Sequence, residues 1–204
     1  MDNPALLPGV DALGPRLMVD IAPGIRLPTL ALDELFAYLC VHGATHAWSR
    51  MKWIADVAAL LKNADEGEVE RLYRRSLGLG VGRCSAQALL LCNLLFETRL
   101  PSSLAAELRS DPAVRYLVRI ALSAMAGRNA ETELDDTVFG TVPIHLSHFL
   151  LASGWRYKLS EVRRKTASHQ DRSAGLLPRG LHFLYPLLAV PSWLWRRVRG
   201  PATF

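Results

Sequence analysis

Residues 35–61 read LFAYLCVHGATHAWSRMKWIADVAALL and form the most informative stretch of the chain. Apolar residues are frequent enough here for a core helix, yet the stretch also holds two histidines, two tryptophans and several charged residues. At about 100° per residue, a single helix would carry one polar stripe. The stripe consists of His42, His46, Ser49, Trp53 and Asp56. Because polar groups on a buried helix are costly unless they are paired, the stripe predicts either a buried network or a ligand site.

The composition favours a single folded body of helices. Half of the 204 residues are hydrophobic and 21% are charged, which supplies one sizeable core and excludes a disordered chain. We predict an all-α, mostly helical fold, a multi-helix bundle over residues 30–167. Its first helix is expected to run from an N-cap at Thr29 to about Lys62. An almost wholly apolar helix from Cys84 to Phe96 is expected at the centre of the core.

Two glycine patterns bear on the helices. Gly43 lies in the middle of the first predicted helix, where glycine costs about 1 kcal/mol relative to alanine. It therefore indicates a kink or a close backbone approach at this point. The GLGVG sequence of residues 78–82 resembles a phosphate loop only superficially, since no strand precedes it and no GK[ST] follows it. We predict a turn between two helices there.

Residues 1–29 are predicted to be a separate, irregular N-terminal segment. Five prolines and several glycines exclude a long helix. Residues 16–21, RLMVDI, alternate weakly between polar and apolar and predict one short strand, followed by a turn at Pro23 and Gly24. Because no other segment shows a period of two, this strand is expected to have no partner within the chain.

Residues 168–204 are predicted to be a polar linker followed by a basic and apolar C-terminal helix. Residues 156–204 contain ten Lys/Arg and two Asp/Glu, a net charge of +8, whereas residues 1–155 carry −3. A basic segment of this kind attracts phosphate or anionic lipid, or it forms a solvated rim. Peripheral membrane contact through residues 176–204 and packing against the helical body both stay open. Nucleic acid is not expected as a partner, because the segment lacks a recognised binding motif.

The cysteines indicate a reducing compartment. Cys40, Cys84 and Cys92 lie in apolar helical sequence without CxxC spacing, so we predict buried thiols. The N-terminus has neither the basic region nor the apolar region of a secretory signal. The expected location is cytoplasmic, with a membrane-peripheral location as the alternative.

No metal site is predicted in this chain. His42 and His46, at i and i+4, supply only half of a Zn²⁺ site, and no third ligand is evident. The adjacent carboxylates Asp135 and Asp136 lie in a polar, acidic stretch that is expected to be an exposed loop.

The central stretch also carries a family resemblance. Residues 42–58 fit the pattern HGxxHxWxRxKWxxDVA, which resembles the characteristic helix of the uncharacterised nucleotidyltransferase family. The preceding DELFAYLC and the later LPRGLHFLYPLLAVPSWLWRR are also similar to sequences of that family. The resemblance extends from about Asp20 to Arg199, although only the central motif is specific. The family is related to the polymerase-beta-type nucleotidyltransferases and is often found in surface-polysaccharide gene clusters.

This resemblance implies an incomplete catalytic apparatus. Members of the family hold Mg²⁺ with a D-x-D pair on a small sheet that precedes this helix, whereas this sequence contains no D-x-D. The resemblance therefore implies the helical, substrate-side C-terminal half of a nucleotidyltransferase. Residues 16–21 would then be the remnant last strand of the sheet, either because the start of the chain is mis-set or because a separate catalytic domain complements a short protein. We expect no activity from the chain alone, with a non-catalytic interaction or membrane-surface module as the alternative.

Five residues are predicted to bind a nucleotide or another anionic small-molecule substrate: His42, His46, Arg50, Lys52 and Asp56. Arg50 and Lys52 suit a phosphate or an acidic substrate, and arginine provides a bidentate contact. The histidines suit a substrate hydroxyl, and Asp56 is placed to orient a histidine or Lys52. The competing interpretation is a buried network in which these groups satisfy one another. No residue is assigned a catalytic role.

Overall fold

The computed structural model describes residues 6–7, 16–126 and 142–166. Within these ranges the chain forms one hairpin and eight α-helices, which confirms the prediction of a mostly helical fold. The strands are β1 (Leu17–Ala22) and β2 (Ile25–Thr29). The helices are α1 (Leu32–Thr45), α2 (Met51–Leu61), α3 (Glu66–Gly78), α4 (Gly82–Phe96), α5 (Ser102–Ser110), α6 (Pro112–Ala126), α7 (Val142–Ser147) and α8 (Trp155–Thr166).

The predicted N-terminal strand has a partner, so the expectation that it has none within the chain is wrong. β1 pairs with β2 in an antiparallel hairpin, with Leu17 opposite Thr29. The turn between them contains Gly24 at a φ of +77°, a conformation that glycine adopts without strain. Pro28 in β2 obscured the second strand in the sequence, since proline cannot donate to a ladder and is tolerated only at an edge.

The single helix predicted from Thr29 to Lys62 is also wrong. α1 begins after an N-cap at Ala31 and ends at Thr45, and α2 begins only at Met51. The chain turns between them because Ala47 and Trp48 adopt left-handed φ values of +50° and +53°. We call this turn the α1–α2 corner, residues 46–50.

Gly43 and Trp48 hold the corner together. The backbone N–H of Trp48 donates to the carbonyl of Gly43 at 2.8 Å, and the Trp48 side chain is fully buried. A Cβ placed on Gly43 would overlap the six-membered ring of the Trp48 indole. The close backbone approach predicted at Gly43 is therefore confirmed, and the group that approaches is an indole only five residues further along the chain.

Helix α4 is the centre of the core, as predicted. Each residue from Cys84 to Cys92 is buried, and the helix packs against α1, α2, α3, α5 and α6. Within this apolar interior, the Gln87 amide donates to the carbonyl of Leu117 at 2.8 Å and fixes α4 against α6. The amide oxygen of Gln87 is buried without a hydrogen-bond partner among the described residues, so only the donor side of this amide is paired.

The three cysteines are free and buried, which confirms the prediction of buried thiols. Burial disfavours the charged thiolate, so it raises the pKa of Cys84 and of Cys92 to about 12. Burial likewise raises the pKa of Cys40 well above its usual range.

Sequence signals at two further helix boundaries are confirmed. Residues 78–82 form the predicted turn between α3 and α4, with Gly80 at a φ of +80°. Helix α6 begins at Pro112, and the carboxylate of Asp111 accepts the Ala113 N–H at 2.8 Å. The other oxygen of Asp111 accepts from Arg83 at 3.0 Å. Although partial burial opposes it, these two hydrogen bonds lower the pKa of Asp111.

The chain divides into two compact units, Met1–Gly154 and Trp155–Phe204, and of the second unit α8 is described. The predicted acidic loop with Asp135 and Asp136, and the predicted linker and C-terminal helix of residues 168–204, lie outside the described residues. The domain boundaries predicted at residues 29 and 167 stay predictions.

Replacing Gly43 with alanine should lower the free energy of unfolding by about 1–3 kcal/mol, because the added methyl group overlaps a buried ring that has no room to move. Gly78→Ala is the matched control, since no atom lies within 4 Å of a Cβ at this last residue of α3. The control should be neutral or stabilising by up to about 1 kcal/mol. Urea unfolding followed by circular dichroism measures both changes, and equal stability of the two variants would contradict the packing at the corner.

Candidate functional site

Three aromatic side chains form a triangle at the α1–α2 corner. The ring centroids of His42 and His46 lie 4.8 Å apart, those of His42 and Trp53 lie 5.3 Å apart, and those of His46 and Trp53 lie 4.9 Å apart. The Trp53 ring meets His42 edge-on, at an interplanar angle of 86°. We call His42, His46 and Trp53, together with Arg50, the ring cluster.

The corner explains how these side chains meet. His42 lies in the last turn of α1, His46 is its C-cap, and Trp53 lies in the first turn of α2. In a continuous helix, seven residues would place Trp53 about 10 Å along the axis from His46. The corner brings the start of α2 back beside the end of α1, so that Trp53 contacts both histidines.

Arg50 adds a positive charge to the triangle. It is the N-cap residue of α2 and is exposed, and its guanidinium carbon lies 5.7 Å from the centre of the Trp53 ring. This distance is within the range of a cation–π interaction. Arg50 is therefore held at the edge of the cluster, facing solvent.

Lys52 and Asp56 lie elsewhere on the same helix. Ile54, Val57 and Leu61 are the buried residues of α2, and Lys52 and Asp56 project on the opposite, exposed side. The structure thus brings His42, His46 and Arg50 together with Trp53, and it does not bring Lys52 and Asp56 into this cluster.

The ring cluster is a surface feature. His46, Arg50, Lys52 and Asp56 are exposed, and His42 is half-buried. The competing interpretation, a network sealed inside the core, is therefore wrong for these residues. The assumption of one continuous, buried helix is wrong, because the α1–α2 corner places these side chains at the surface.

Tyr38 is a neighbour of the cluster that the sequence argument missed. Its ring stacks on His42 with centroids 6.1 Å apart and an interplanar angle of 18°. Tyr38, His42 and His46 are spaced at i, i+4 and i+8, so they share one face of α1. That spacing is visible in the sequence and was sufficient to identify Tyr38.

The arrangement suits an anion with a planar part. A half-exposed indole offers a face for stacking, and a guanidinium group offers a charged, bidentate contact. The two imidazoles can each donate or accept a hydrogen bond at the edge of such a ligand. These are the chemical groups that a site for a planar anion requires.

The described residues do not provide a metal centre. Within the described ranges, no group of three or more His, Cys, Asp or Glu side chains is placed to hold a metal ion. Mg²⁺ in a nucleotidyl-transfer site needs several oxygen ligands, including carboxylates. The Mg²⁺ implied by the family resemblance stays an expectation.

Three clefts lie away from the ring cluster. A cleft of about 330 Å³ is lined by residues that include Arg83 and Asp111, and one of about 760 Å³ lies between the ends of α2 and α4. A third, of about 500 Å³, lies between α4, α5 and α6. None of these three includes a residue of the ring cluster among its lining.

Comparison with known proteins supports the family resemblance. Residues 13–97 match the sequence model of a family described as uncharacterised nucleotidyltransferase. The match contains the hairpin, α1 to α4 and the whole ring cluster, and it confirms the predicted family over these residues. It covers a shorter range than the predicted resemblance from Asp20 to Arg199. No curated protein and no solved structure matches the chain significantly.

In the described part of the chain, every helix is too short or too polar to cross a bilayer.

Proposed function

We propose, from the nucleotidyltransferase family pattern in residues 13–97, that the ring cluster binds a nucleotide or a related phosphate-bearing ligand. The observation that carries the proposal is the contact of two imidazoles with a half-exposed indole, beside a solvent-facing arginine. All four side chains lie within the matched range.

Each group has a distinct part in the proposed binding. The face of Trp53 stacks on the planar part of the ligand, and Arg50 donates two hydrogen bonds to a phosphate. His42 and His46 hold the ligand by hydrogen bonds at its hydroxyl groups. Lys52 adds positive charge on the outward side of α2, which attracts the anion from a distance.

Transfer of the nucleotide requires groups beyond the cluster. Nucleotidyl transfer relies on carboxylate-held divalent ions, and the printed sequence has no D-x-D. We therefore propose that a catalytic domain outside the printed sequence supplies the carboxylates and that this chain alone is inactive. The β1–β2 hairpin supports such a partner, because its apolar side chains, including Ile21 and Leu27, are exposed and its outer edges can pair with another sheet.

The cellular location of the protein and the class of its acceptor substrate are proposed from two weaker observations. Three free, buried thiols are in keeping with a reducing, cytoplasmic location. The family resemblance alone supports an acceptor among surface-polysaccharide precursors.

Nucleotide binding tests the proposal directly. Isothermal titration of the full chain with ATP, GTP, CTP and UTP should reveal saturable binding of at least one of them. Arg50→Gln should weaken that binding by about tenfold or more, the effect of losing a charge-assisted phosphate contact. Lys62→Gln is the matched control, since it removes one exposed charge at the C-cap of the same helix. Both variants should melt within a few degrees of the unmodified chain.

Two results would contradict this function. Failure of all four nucleotides to bind, or equal binding by the unmodified chain and Arg50→Gln, removes the anion site. Efficient transfer of labelled nucleotide by the chain alone with Mg²⁺ would contradict the need for a further catalytic domain, while leaving the binding site in place.

A second candidate function is contact with an anionic membrane surface through α8. Trp155, Leu159 and Val162 are spaced at i, i+4 and i+7 and share one face, with exposed fractions of 69%, 39% and 36%. Basic residues flank this apolar stripe on both sides; they are Arg156, Lys158 and Arg163, and all are exposed. A helix with an apolar stripe between cations suits the boundary of a bilayer that contains acidic lipids.

Liposome sedimentation tests this candidate. The full chain should pellet with vesicles that contain phosphatidylglycerol and much less with neutral phosphatidylcholine vesicles, because the contact needs both charge and apolar surface. Trp155→Ser combined with Leu159→Ser should reduce the pelleted fraction several-fold, whereas Leu146→Ser, an exposed leucine of α7, should not. Equal pelleting of all three proteins would exclude α8 as the membrane contact.

A further inference from the structure

The cleft between α4, α5 and α6 is lined by arginine and leucine side chains. It has a volume of about 500 Å³, and its lining includes Arg109, Arg115 and Arg119. Apolar side chains from α4 and α6 complete most of the wall; they are Leu90, Leu94 and Val118. We call this feature the arginine cleft.

The structure describes no acidic partner for the three arginines. Within the described ranges, no acidic residue lines the arginine cleft and no carboxylate forms an ion pair with any of the three. Other arginines of the bundle are neutralised, as Arg74 is by Glu107 at 2.6 Å. Three guanidinium groups around one cleft repel each other, and a bound anion would relieve that repulsion.

Neutral contacts hold these arginines in place. Arg109 donates to the amide oxygen of Asn93 at 3.3 Å, and Arg115 donates to the backbone carbonyl of Arg109 at 3.2 Å. Arg119 lies 6.0 Å from the centre of the Tyr116 ring. These contacts orient the guanidinium groups without cancelling their charge, and this lowers the entropy lost when an anion binds.

The apolar side chains that line the arginine cleft indicate which class of ligand fits it. Leu94 is 60% exposed, in the last turn of α4, where the helix leaves the core and Leu95 and Phe96 are also exposed. A free inorganic anion would use the arginines and leave this leucine in water. A ligand with an apolar body beside its charged head would use both, and small-molecule sites typically combine a mainly apolar lining with a few polar anchors.

We propose that the arginine cleft binds an amphiphilic organic anion, namely a phosphate or carboxylate head joined to an apolar body. The head contacts Arg109, Arg115 and Arg119, and the body packs on Leu94 and Val118. The site is separate from the ring cluster, which lies on α1 and α2, and its arginines fall outside the matched residues 13–97. It therefore does not depend on the proposed nucleotide site.

Octyl phosphate, kept below its micelle-forming concentration, is the probe for this site. Isothermal titration of the full chain should show saturable binding that is at least tenfold tighter than that of inorganic phosphate. Arg115→Gln with Arg119→Gln should weaken octyl phosphate binding by at least tenfold. Leu94→Asn should weaken it several-fold without changing the affinity for inorganic phosphate. Arg99→Gln, an exposed arginine in the loop after α4, should bind as the unmodified chain does.

Four outcomes would overturn the proposal. They are equal affinity for octyl phosphate and inorganic phosphate, no effect of Leu94→Asn, an equal loss in Arg99→Gln, and no saturable binding of monomeric octyl phosphate. Vesicle binding alone does not support the cleft, because α8 is a separate candidate for membrane contact. Because Leu94 and the two substituted arginines are exposed, circular dichroism should show that each variant is folded. If the double arginine variant does not fold, the Leu94→Asn variant still tests the proposal.

Discussion

The contact between the Trp48 indole and the bare backbone of Gly43 is the constraint on which the α1–α2 corner depends. Left-handed φ values at Ala47 and Trp48 each cost roughly 1–2 kcal/mol for residues other than glycine. Burial of an indole side chain, at about 25 cal/mol per Å² over 150–250 Å², returns about 4–6 kcal/mol. The corner is stable because glycine leaves room for that ring. The Trp48 indole N–H finds no hydrogen-bond acceptor in the described ranges, so packing and not polar pairing holds the ring.

The corner and α4 together decide which side chains face solvent. α4 buries the apolar sides of α1 and α2, and the corner turns their junction outward. His42, His46 and Trp53 therefore meet at the surface with Arg50 beside them. The same bundle exposes a second, independent group of cations, the arginine cleft, on the side formed by α4, α5 and α6. The bundle thus has two positively charged regions on its surface. Aromatic side chains surround the charge in the ring cluster, and aliphatic side chains surround it in the arginine cleft.

Much of the bundle could be predicted from sequence because its signals are local. The apolar run that became α4, the Asp111-Pro112 start of α6 and the glycine turn before α4 each depend on residues within one or two helical turns. The corner could not be predicted in the same way. Alanine and tryptophan have no sequence preference for the left-handed backbone conformation. At Ala47 and Trp48, only the fit of the Trp48 ring against Gly43 favours it. The second strand was missed because Pro28 breaks the alternation expected of a strand.

The candidate site shows the same division between local and tertiary information. The histidine spacing on α1 placed His42 and His46 together correctly, because both lie on or directly after one helix. The continuous-helix assumption also grouped Asp56 with them, and Asp56 lies on the exposed side of α2, one turn after Trp53. Composition therefore indicated the chemistry, and the turn at residues 46–50 selected which side chains carry it.

The distance between His46 and Trp53 tests the central claim most directly. In a nuclear Overhauser experiment on the full chain, with histidine and tryptophan selectively labelled, ring protons of His46 and Trp53 should show a strong cross-peak, as their centroids lie 4.9 Å apart. A continuous helix would separate the two residues by about 10 Å along its axis and give a weak cross-peak or none. A missing cross-peak in the folded protein would contradict the corner and the ring cluster that it forms.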